Sequence, residues 1–351
     1  MTEGNSTISH LSVAMTTDNV DKVHTTGGNS VTSSSSNNFE FYTQLAVVII
    51  GVVGTVGNAL VLYALFASKQ HKKLILIVNQ NAVDFFGSFF LAIVYIVKLC
   101  NLHLTGTVGY WLCTMLLSDN LVWIGTNSSV INLAAITVDR YLKVVHPVWS
   151  RKWLRPWLIY SAIAFAWIAG IVYNTTAVFT TSVVIDGVCY GYTDFGGDLQ
   201  FRAYIIWYVV SFYVVILVIF VVCYGRILVA VRRQARVMAG HSAAGSSTAQ
   251  AQAQVQSNQI QSNVIKTMIL VSAFYAITWG PANVYYILSL LNYPQDLTVN
   301  DSRYYATMFI GFLYTSANPF IYATKFSPVR KVLKCMIPCI KHTSGPGTTI
   351  T

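Results

Sequence analysis

Seven long apolar segments, separated by short polar ones, dominate the pattern of hydrophobic and polar residues along the chain. Each segment is long enough to cross about 30 Å of hydrocarbon as an α-helix. We number them spans 1 to 7, and they cover about residues 43–66, 74–99, 112–145, 157–179, 203–229, 264–291 and 304–322. The third is too long to stand upright in a bilayer, so we expect it to tilt. The pattern predicts an all-α membrane protein, with a seven-helix transmembrane bundle over residues 43–323.

Three polar regions lie outside this bundle. Residues 1–42 are rich in Ser, Thr, Asn and Gly and have hardly any apolar run, which predicts a disordered segment. Residues 232–262 contain Ala-Gln repeats, and this low-complexity loop either extends the helices of spans 5 and 6 or stays disordered. Residues 324–351 begin with alternating basic and apolar positions, which predicts a short amphipathic helix on the membrane surface, followed by a tail.

Composition and charge fix the class and the orientation. Of the residues, 54% are hydrophobic and 10% are charged, whereas ordinary soluble domains have about 25% charged residues. Eighteen of the 22 Lys and Arg follow spans 1, 3, 5 or 7. By the positive-inside rule these segments are cytoplasmic, so we expect a plasma-membrane protein whose amino terminus is extracellular. The net charge of +10 is spread over four juxtamembrane segments, which indicates a lipid bilayer and not nucleic acid as the partner.

Span 3 ends in the triplet Asp139-Arg140-Tyr141. An arginine at the centre of a span costs about 2.5–3.5 kcal/mol on insertion, so this pair belongs at the membrane edge, where the two charges can satisfy each other. The triplet resembles the end of the third span in rhodopsin-like (class A) G protein-coupled receptors. The resemblance implies a receptor and not an enzyme, in which Arg140 contacts a heterotrimeric G protein when the helices part. Arrestin and receptor kinases are the further partners it implies.

Motifs on three more spans carry the same resemblance. Span 6 contains a Trp-Gly-Pro sequence, and span 7 ends in Asn-Pro-Phe-Ile-Tyr. Proline inside a helix removes a hydrogen bond and favours a bend. The resemblance implies that the inner half of span 6 moves outward on activation, and that a tyrosine of span 5 swings toward Arg140. The matching residues are Tyr224, Trp279, Pro281, Asn318, Pro319 and Tyr322. Span 5 lacks the proline common in the family, with Ile216 in its place.

Asp84 is an acid in the middle of span 2, which indicates a functional site. One interpretation is that Asn58 of span 1 and Asp84 hydrogen-bond each other and hold the helices together. The family resemblance implies another, because Asp84 matches the acid that binds an allosteric sodium ion, with Ser129 and Asn318 in the same pocket. Apart from that ion, we expect no cofactor. In particular we expect no retinal, since Phe312 stands where opsins have a lysine.

The ligand is less sharply defined by the sequence. Amine receptors place an aspartate in the ligand-facing turn of span 3, and that place holds Val122 when counted from Arg140, or Asn120 when counted from Cys113. We favour a peptide ligand, while an amine stays open through the neighbouring Asp119. A transporter is the remaining alternative, although we find no inverted repeat. With Lys98, the candidate pocket residues are Asp119, Val122, Trp123, Thr126, Asn283, Tyr286 and Met308.

Two cysteines lie on the predicted oxidising face, Cys113 at the start of span 3 and Cys189 after span 4. We predict a disulfide between them, with Cys100 as the competing partner of Cys189. The family usually has fewer residues between this cysteine and the arginine than the chain has before Arg140. Span 3 therefore starts with an extra half-turn or has a shifted register.

Sequence motifs also predict covalent modification. Asn5, Asn174 and Asn300 begin Asn-X-Ser/Thr acceptor sequences for glycosylation. Cys335 and Cys339 are juxtamembrane candidates for palmitoylation.

Overall fold

The computed structural model describes residues 30–192, 195–242, 249–291 and 302–336, and seven long helices form its bundle. Six of the described helices are long and apolar enough to cross a membrane. Span 7, at 24 residues, is the more polar exception. Five spans are single helices, with bounds Ser30–Ala67 (span 1), Ile75–Leu99 (span 2), Pro156–Thr181 (span 4), Ala249–Leu290 (span 6) and Ser302–Lys325 (span 7). The predicted all-α bundle is confirmed.

The bundle has a largely apolar core that also contains polar residues, and its outer surface carries large exposed apolar side chains. Asn81 and Asn132 are completely buried, whereas Val221 and Ile277 are more than two-thirds exposed. Such an apolar surface is stable in lipid. The helical backbone is stable there too, because its N–H and C=O groups bond each other within each helix. Small residues let the spans approach each other. A Cβ on Gly125 of span 3 would lie 2.6 Å from the Gly87 Cα of span 2.

Span 3 is broken near its outer end, and the break absorbs the extra residues before Arg140. The span begins as an α-helix over Gly106–Leu112, continues as a π-helical turn over Cys113–Leu117, and resumes as an α-helix over Asn120–Val145. Between the last two pieces Asp119 has a left-handed φ of 59°. A π turn holds an additional residue without ending the helix. The helical register of span 3 therefore changes between Cys113 and Asn120, in line with the second of the two predicted alternatives.

Span 5 is also irregular, although it has no proline. Its α-helix over Asp198–Val209 gives way to a π-helical turn over Val210–Val214 and resumes over Val215–Ser242. The turn lies just before Ile216, so a π turn supplies the local distortion for which the family uses proline. Because the helix of span 6 starts at Ala249, the described part of the 232–262 loop extends both helices.

A short hairpin covers the outer face of the bundle. Strands β1 (Val183–Ile185) and β2 (Val188–Tyr190) pair antiparallel. Asp186 and Gly187 form the two-residue turn, and both have positive φ, as a type I′ turn requires. Cys189 on β2 is bonded to Cys113, whereas Cys100 is free and exposed. The predicted disulfide is confirmed, and it fixes the hairpin to the break in span 3.

The helix boundaries change one of the predictions and bear out another. The helix of span 1 starts at Ser30, ahead of the predicted end of the disordered segment at residue 42. Its Ser/Thr/Asn run contains no proline or glycine that would end a helix. The amphipathic helix is present over Ser327–Met336. Short helix Pro147–Trp153 follows span 3.

Asn174 cannot be a glycosylation site in this fold, so that prediction is wrong. The helix of span 4 continues to Thr181, which places Asn174 inside the bundle with 2% of its surface exposed. Its side chain donates to the Gly170 carbonyl and accepts from Asn127, at 2.7 and 3.2 Å. No sugar transferase could reach it. Asn5 and Asn300 lie outside the described residues, as does Cys339.

Candidate functional site

The basic end of span 3, where Arg140 lies, gathers three charges. Asp139 Oδ1 lies 2.7 Å from Lys143 Nζ, and Asp139 Oδ2 lies 3.5 Å from Arg140 Nε. The Asp139 side chain is 5% exposed and that of Arg140 12%, while Lys143 reaches solvent at 34%. Among the described residues, Asp139 is the acid paired with Arg140. The closer partner of this acid is therefore Lys143, which sequence reasoning missed although it lies one helical turn away. Tyr141 points aside and bonds the His146 ring.

Tyr224 ties three spans together just inside this end. Its hydroxyl lies 2.9 Å from Thr137 Oγ1 of span 3 and 3.1 Å from Ser272 Oγ of span 6. All three side chains are buried. We call these two hydrogen bonds the Tyr224 clasp. It holds the inner half of span 6 against spans 3 and 5, and we refer to this arrangement as closed. Thr137 and Ser272 were not among the predicted residues.

Asp84 lies at the centre of a polar cluster that joins spans 2, 3 and 7. It accepts hydrogen bonds of 2.6 Å from both Ser129 Oγ and Asn318 Nδ2. The structure thus brings together three of the four residues of the predicted sodium pocket. Asn58 is not one of the partners of Asp84. It donates instead to the Gly54 and Thr315 carbonyls, so the interpretation that Asn58 and Asp84 bond each other is wrong.

Gln80 occupies the centre of the same cluster. Its Nε2 lies 3.2 and 3.3 Å from the two oxygens of Asp84 and 2.6 Å from Ser129 Oγ. An amide nitrogen therefore already binds the oxygens that a sodium ion would need, and the residues do not fit the ion in this arrangement. The sequence held a usable signal, since Gln80 precedes Asp84 by four positions and must share its helix face.

Span 7 completes the inner half of the bundle. Pro319 lies inside the helix, directly after Asn318. Tyr322 is fully buried, and its ring lies 6.4 Å from that of Phe326. The Asn-Pro motif therefore connects the polar cluster around Asp84 to the start of the surface helix.

The outer half of the bundle contains a narrow cavity. Trp279 forms part of its wall, and the Trp279 ring lies 5.6 Å from that of Trp123 and 6.3 Å from that of Phe312. Asn283 donates to the Trp279 carbonyl at 2.8 Å. The lining residues are Thr126, Asn127, Val130, Tyr208, Phe212, Tyr275, Trp279 and Asn283. Sequence reasoning found Thr126, Trp279 and Asn283 but missed the aromatic wall from span 5.

Other predicted pocket residues lie around this cavity. Tyr286 packs against Tyr208, at 6.0 Å between rings, while Val122 and Met308 are buried but do not line it. Nearer the surface, Lys98 Nζ bonds both oxygens of Asp119 at 2.8 Å. The same ammonium lies 4.6 Å from the centre of the Tyr95 ring. Asp119 is therefore paired with a lysine, which a cationic group would have to displace in order to take its place.

Comparisons with known proteins agree with this geometry. The family described as 7 transmembrane receptor (rhodopsin family) matches residues 57–322. G-protein coupled receptor 15 of Mus musculus is 26% identical over 320 residues, covering 88% of this chain and 81% of that receptor. C5a anaphylatoxin chemotactic receptor 1 of Cavia porcellus is 23% identical over 284 residues, covering 79% and 74%. The crystal structure of squid rhodopsin has the same fold, with a TM-score of 0.67 and 19% identity over 87% of this chain and 88% of that one.

The matched residues run from span 1 to the end of span 7 and include the triplet at Arg140, the Trp-Gly-Pro sequence of span 6 and the Asn-Pro motif. They make up well over half of the chain. This chain belongs to the rhodopsin family of seven-transmembrane receptors.

Proposed function

We propose that an extracellular ligand binds above Trp279 and displaces the inner half of span 6, which lets Arg140 act on a heterotrimeric G protein. The observation that carries this proposal is the arrangement of span 6. One helix contributes Trp279 and Asn283 to the cavity, contains Pro281, and has Ser272 on its buried face, where it joins the Tyr224 clasp. A ligand that favours a different bend at Pro281 would therefore strain the clasp. The coupling equals the difference in its affinity for the closed and open arrangements.

For the ligand we propose a peptide. The mouth presents both signs of charge, Lys98 and Asp119, next to tyrosine rings. A peptide has groups of both signs and can bind each of them. An amine is the second candidate, and the observation in its favour is the acid Asp119 at the top of span 3. An amine would have to displace Lys98 and leave that ammonium without an acid.

A ligand screen with two charge variants separates these candidates. We expect a library of neuropeptides, and not one of biogenic amines, to release G protein subunits in cells that express the chain. Potency should fall about three- to fivefold in both Lys98→Gln and Asp119→Asn, because each removes one partly exposed ion pair. An amine that loses its action in Asp119→Asn and gains potency in Lys98→Gln would contradict the peptide proposal.

Lys143 weakens the ion pair between Arg140 and Asp139, because it competes with Arg140 for the Asp139 carboxylate. We predict that Lys143→Met lowers ligand-independent nucleotide exchange about twofold, since Asp139 is then left to Arg140 and a partly exposed pair is worth under about 1 kcal/mol. Lys143→Arg keeps the pair and serves as the control. Exchange on reconstituted receptor measures the effect, and a rise in Lys143→Met would refute this role.

The hairpin end of the bundle faces outside and the basic end faces the cytosol at the plasma membrane, as the distribution of Lys and Arg supports. Cys335 is exposed on the surface helix, where an acyl chain could enter the inner leaflet. Arrestin and receptor kinases would bind the same cytoplasmic face. Glycosylation at Asn5 and Asn300 and palmitoylation at Cys339 stay predictions.

A further inference from the structure

We infer that the side-chain amide of Gln80 takes the place of a sodium ion in this chain, so that the closed arrangement of spans 2, 3 and 7 does not depend on sodium. This inference goes beyond the proposed receptor activity and does not rest on it. It concerns a buried amide that none of the sequence motifs includes.

The surroundings of the Gln80 nitrogen are those of a cation site. Four oxygens lie within 3.4 Å of it, namely the two Asp84 oxygens, Ser129 Oγ and the Tyr314 hydroxyl. A primary amide has two hydrogens to share among these four acceptors. Gln80, Asp84 and Tyr314 are 0, 2 and 0% exposed. The amide is thus the positive end of a dipole, enclosed in a cage of oxygens around a carboxylate.

A directed chain of hydrogen bonds fixes which end of the amide faces Asp84. The chain starts at Trp167, whose indole Nε1 can only donate. Nε1 donates to Asn79 Oδ1 at 3.1 Å, and Asn79 Nδ2 donates to Asn132 Oδ1 at 2.9 Å. Asn132 Nδ2 then donates to Gln80 Oε1 at 2.8 Å.

The far end of the chain is equally unambiguous. Gln80 Nε2 donates to Asp84, and an ionised carboxylate can only accept. Between an obligate donor and an obligate acceptor, each of the three amides has one consistent orientation. The Gln80 nitrogen is therefore directed at the carboxylate by contacts that begin at span 4. A sodium ion at Asp84 would have to expel this amide. The buried amide groups that bond one another between Trp167 and Gln80 would then lose hydrogen-bond partners, which costs free energy.

The thermal stability of the purified full-length protein tests this inference without a ligand or a G protein. Melting temperatures are compared in sodium and potassium chloride at the same ionic strength. We expect the wild type to melt within about 1 °C in the two salts, because it has no site that prefers sodium. Gln80→Ala removes the amide and opens the cage, so sodium should raise its melting temperature by about 3 °C or more over potassium.

Two matched variants show whether the sodium effect depends on the Asp84 carboxylate and on the chain of hydrogen bonds. Gln80→Ala combined with Asp84→Asn should lose the sodium effect, because the carboxylate is gone. Trp167→Phe removes the first donor of the chain, and we expect it to gain a weaker sodium effect than Gln80→Ala.

If Gln80→Ala does not fold, Gln80→Leu removes the donor and keeps the volume. The melting temperatures of the wild type in the two salts also test the inference without any variant. Selective stabilisation of the wild type by sodium of about 3 °C or more would overturn the inference. A Gln80→Ala protein that folds but shows no preference for sodium would do so as well.

Discussion

Breaking the Tyr224 clasp, by combining Thr137→Val with Ser272→Ala, is expected to raise ligand-independent nucleotide exchange about tenfold. Each variant removes one of the two hydroxyls that Tyr224 bonds in the closed arrangement. A buried hydrogen bond of this kind contributes about 0.5–1.5 kcal/mol. If both bonds are broken when span 6 moves outward, losing them shifts the balance toward the open arrangement by a factor of about ten.

The control for this effect is a hydroxyl of span 6 that bonds within its own helix. Thr278 Oγ1 donates to the Phe274 carbonyl at 2.9 Å, so Thr278→Val removes a buried hydroxyl without releasing another span. We expect its exchange rate to stay within about twofold of the wild type. Equal exchange in the double variant and the wild type, at equal surface expression, would show that the clasp does not hold span 6.

Much of the bundle could be predicted from the sequence because a bilayer leaves few options. Backbone groups in hydrocarbon must be satisfied within a helix, so long apolar runs indicate spans. The basic residues that follow spans 1, 3, 5 and 7 indicate orientation in the same direct way. The Cys113–Cys189 disulfide followed from the compartment of both residues, and it is present.

The irregular parts could not be predicted from local pattern. The π turn at Cys113–Leu117 and the left-handed Asp119 depend on how span 3 packs beneath the hairpin. The number of residues between Cys113 and Arg140 indicated that the helix of span 3 is irregular, but it did not indicate the position of the irregularity. Likewise Asn174 matched a glycosylation motif, and its burial against span 3 becomes visible only in the folded bundle.

The polar cluster around Asp84 could likewise be predicted only in part from the sequence. Asp84 was found as an acid in the middle of a span, the family resemblance added Ser129 and Asn318, and the three side chains do meet. Gln80 was not among the residues that the resemblance implied. Its spacing from Asp84 indicates a shared helix face, but the orientation of its amide follows only from the hydrogen bonds that run from Trp167 to Asp84. The ligand class depends on the same kind of detail, since Lys98 alters what Asp119 can bind.

The second large effect concerns Arg140. Once span 6 has moved, we expect the Arg140 guanidinium to donate hydrogen bonds to the G protein from a largely desolvated position. Arginines in such positions typically cost about 2 kcal/mol or more when truncated, which corresponds to about thirtyfold. Arg140→Lys keeps the charge but loses the planar fork of donors, so it should recover part of the activity.

The most direct test measures nucleotide exchange by a panel of heterotrimeric G proteins on the clasp variant in lipid nanodiscs, with and without Arg140→Ala. The clasp variant makes the measurement independent of the ligand. We predict that Arg140→Ala lowers exchange about thirtyfold or more, to near the rate without receptor, while the melting temperature stays within a few degrees. Exchange that persists unchanged in the folded Arg140→Ala protein would contradict it.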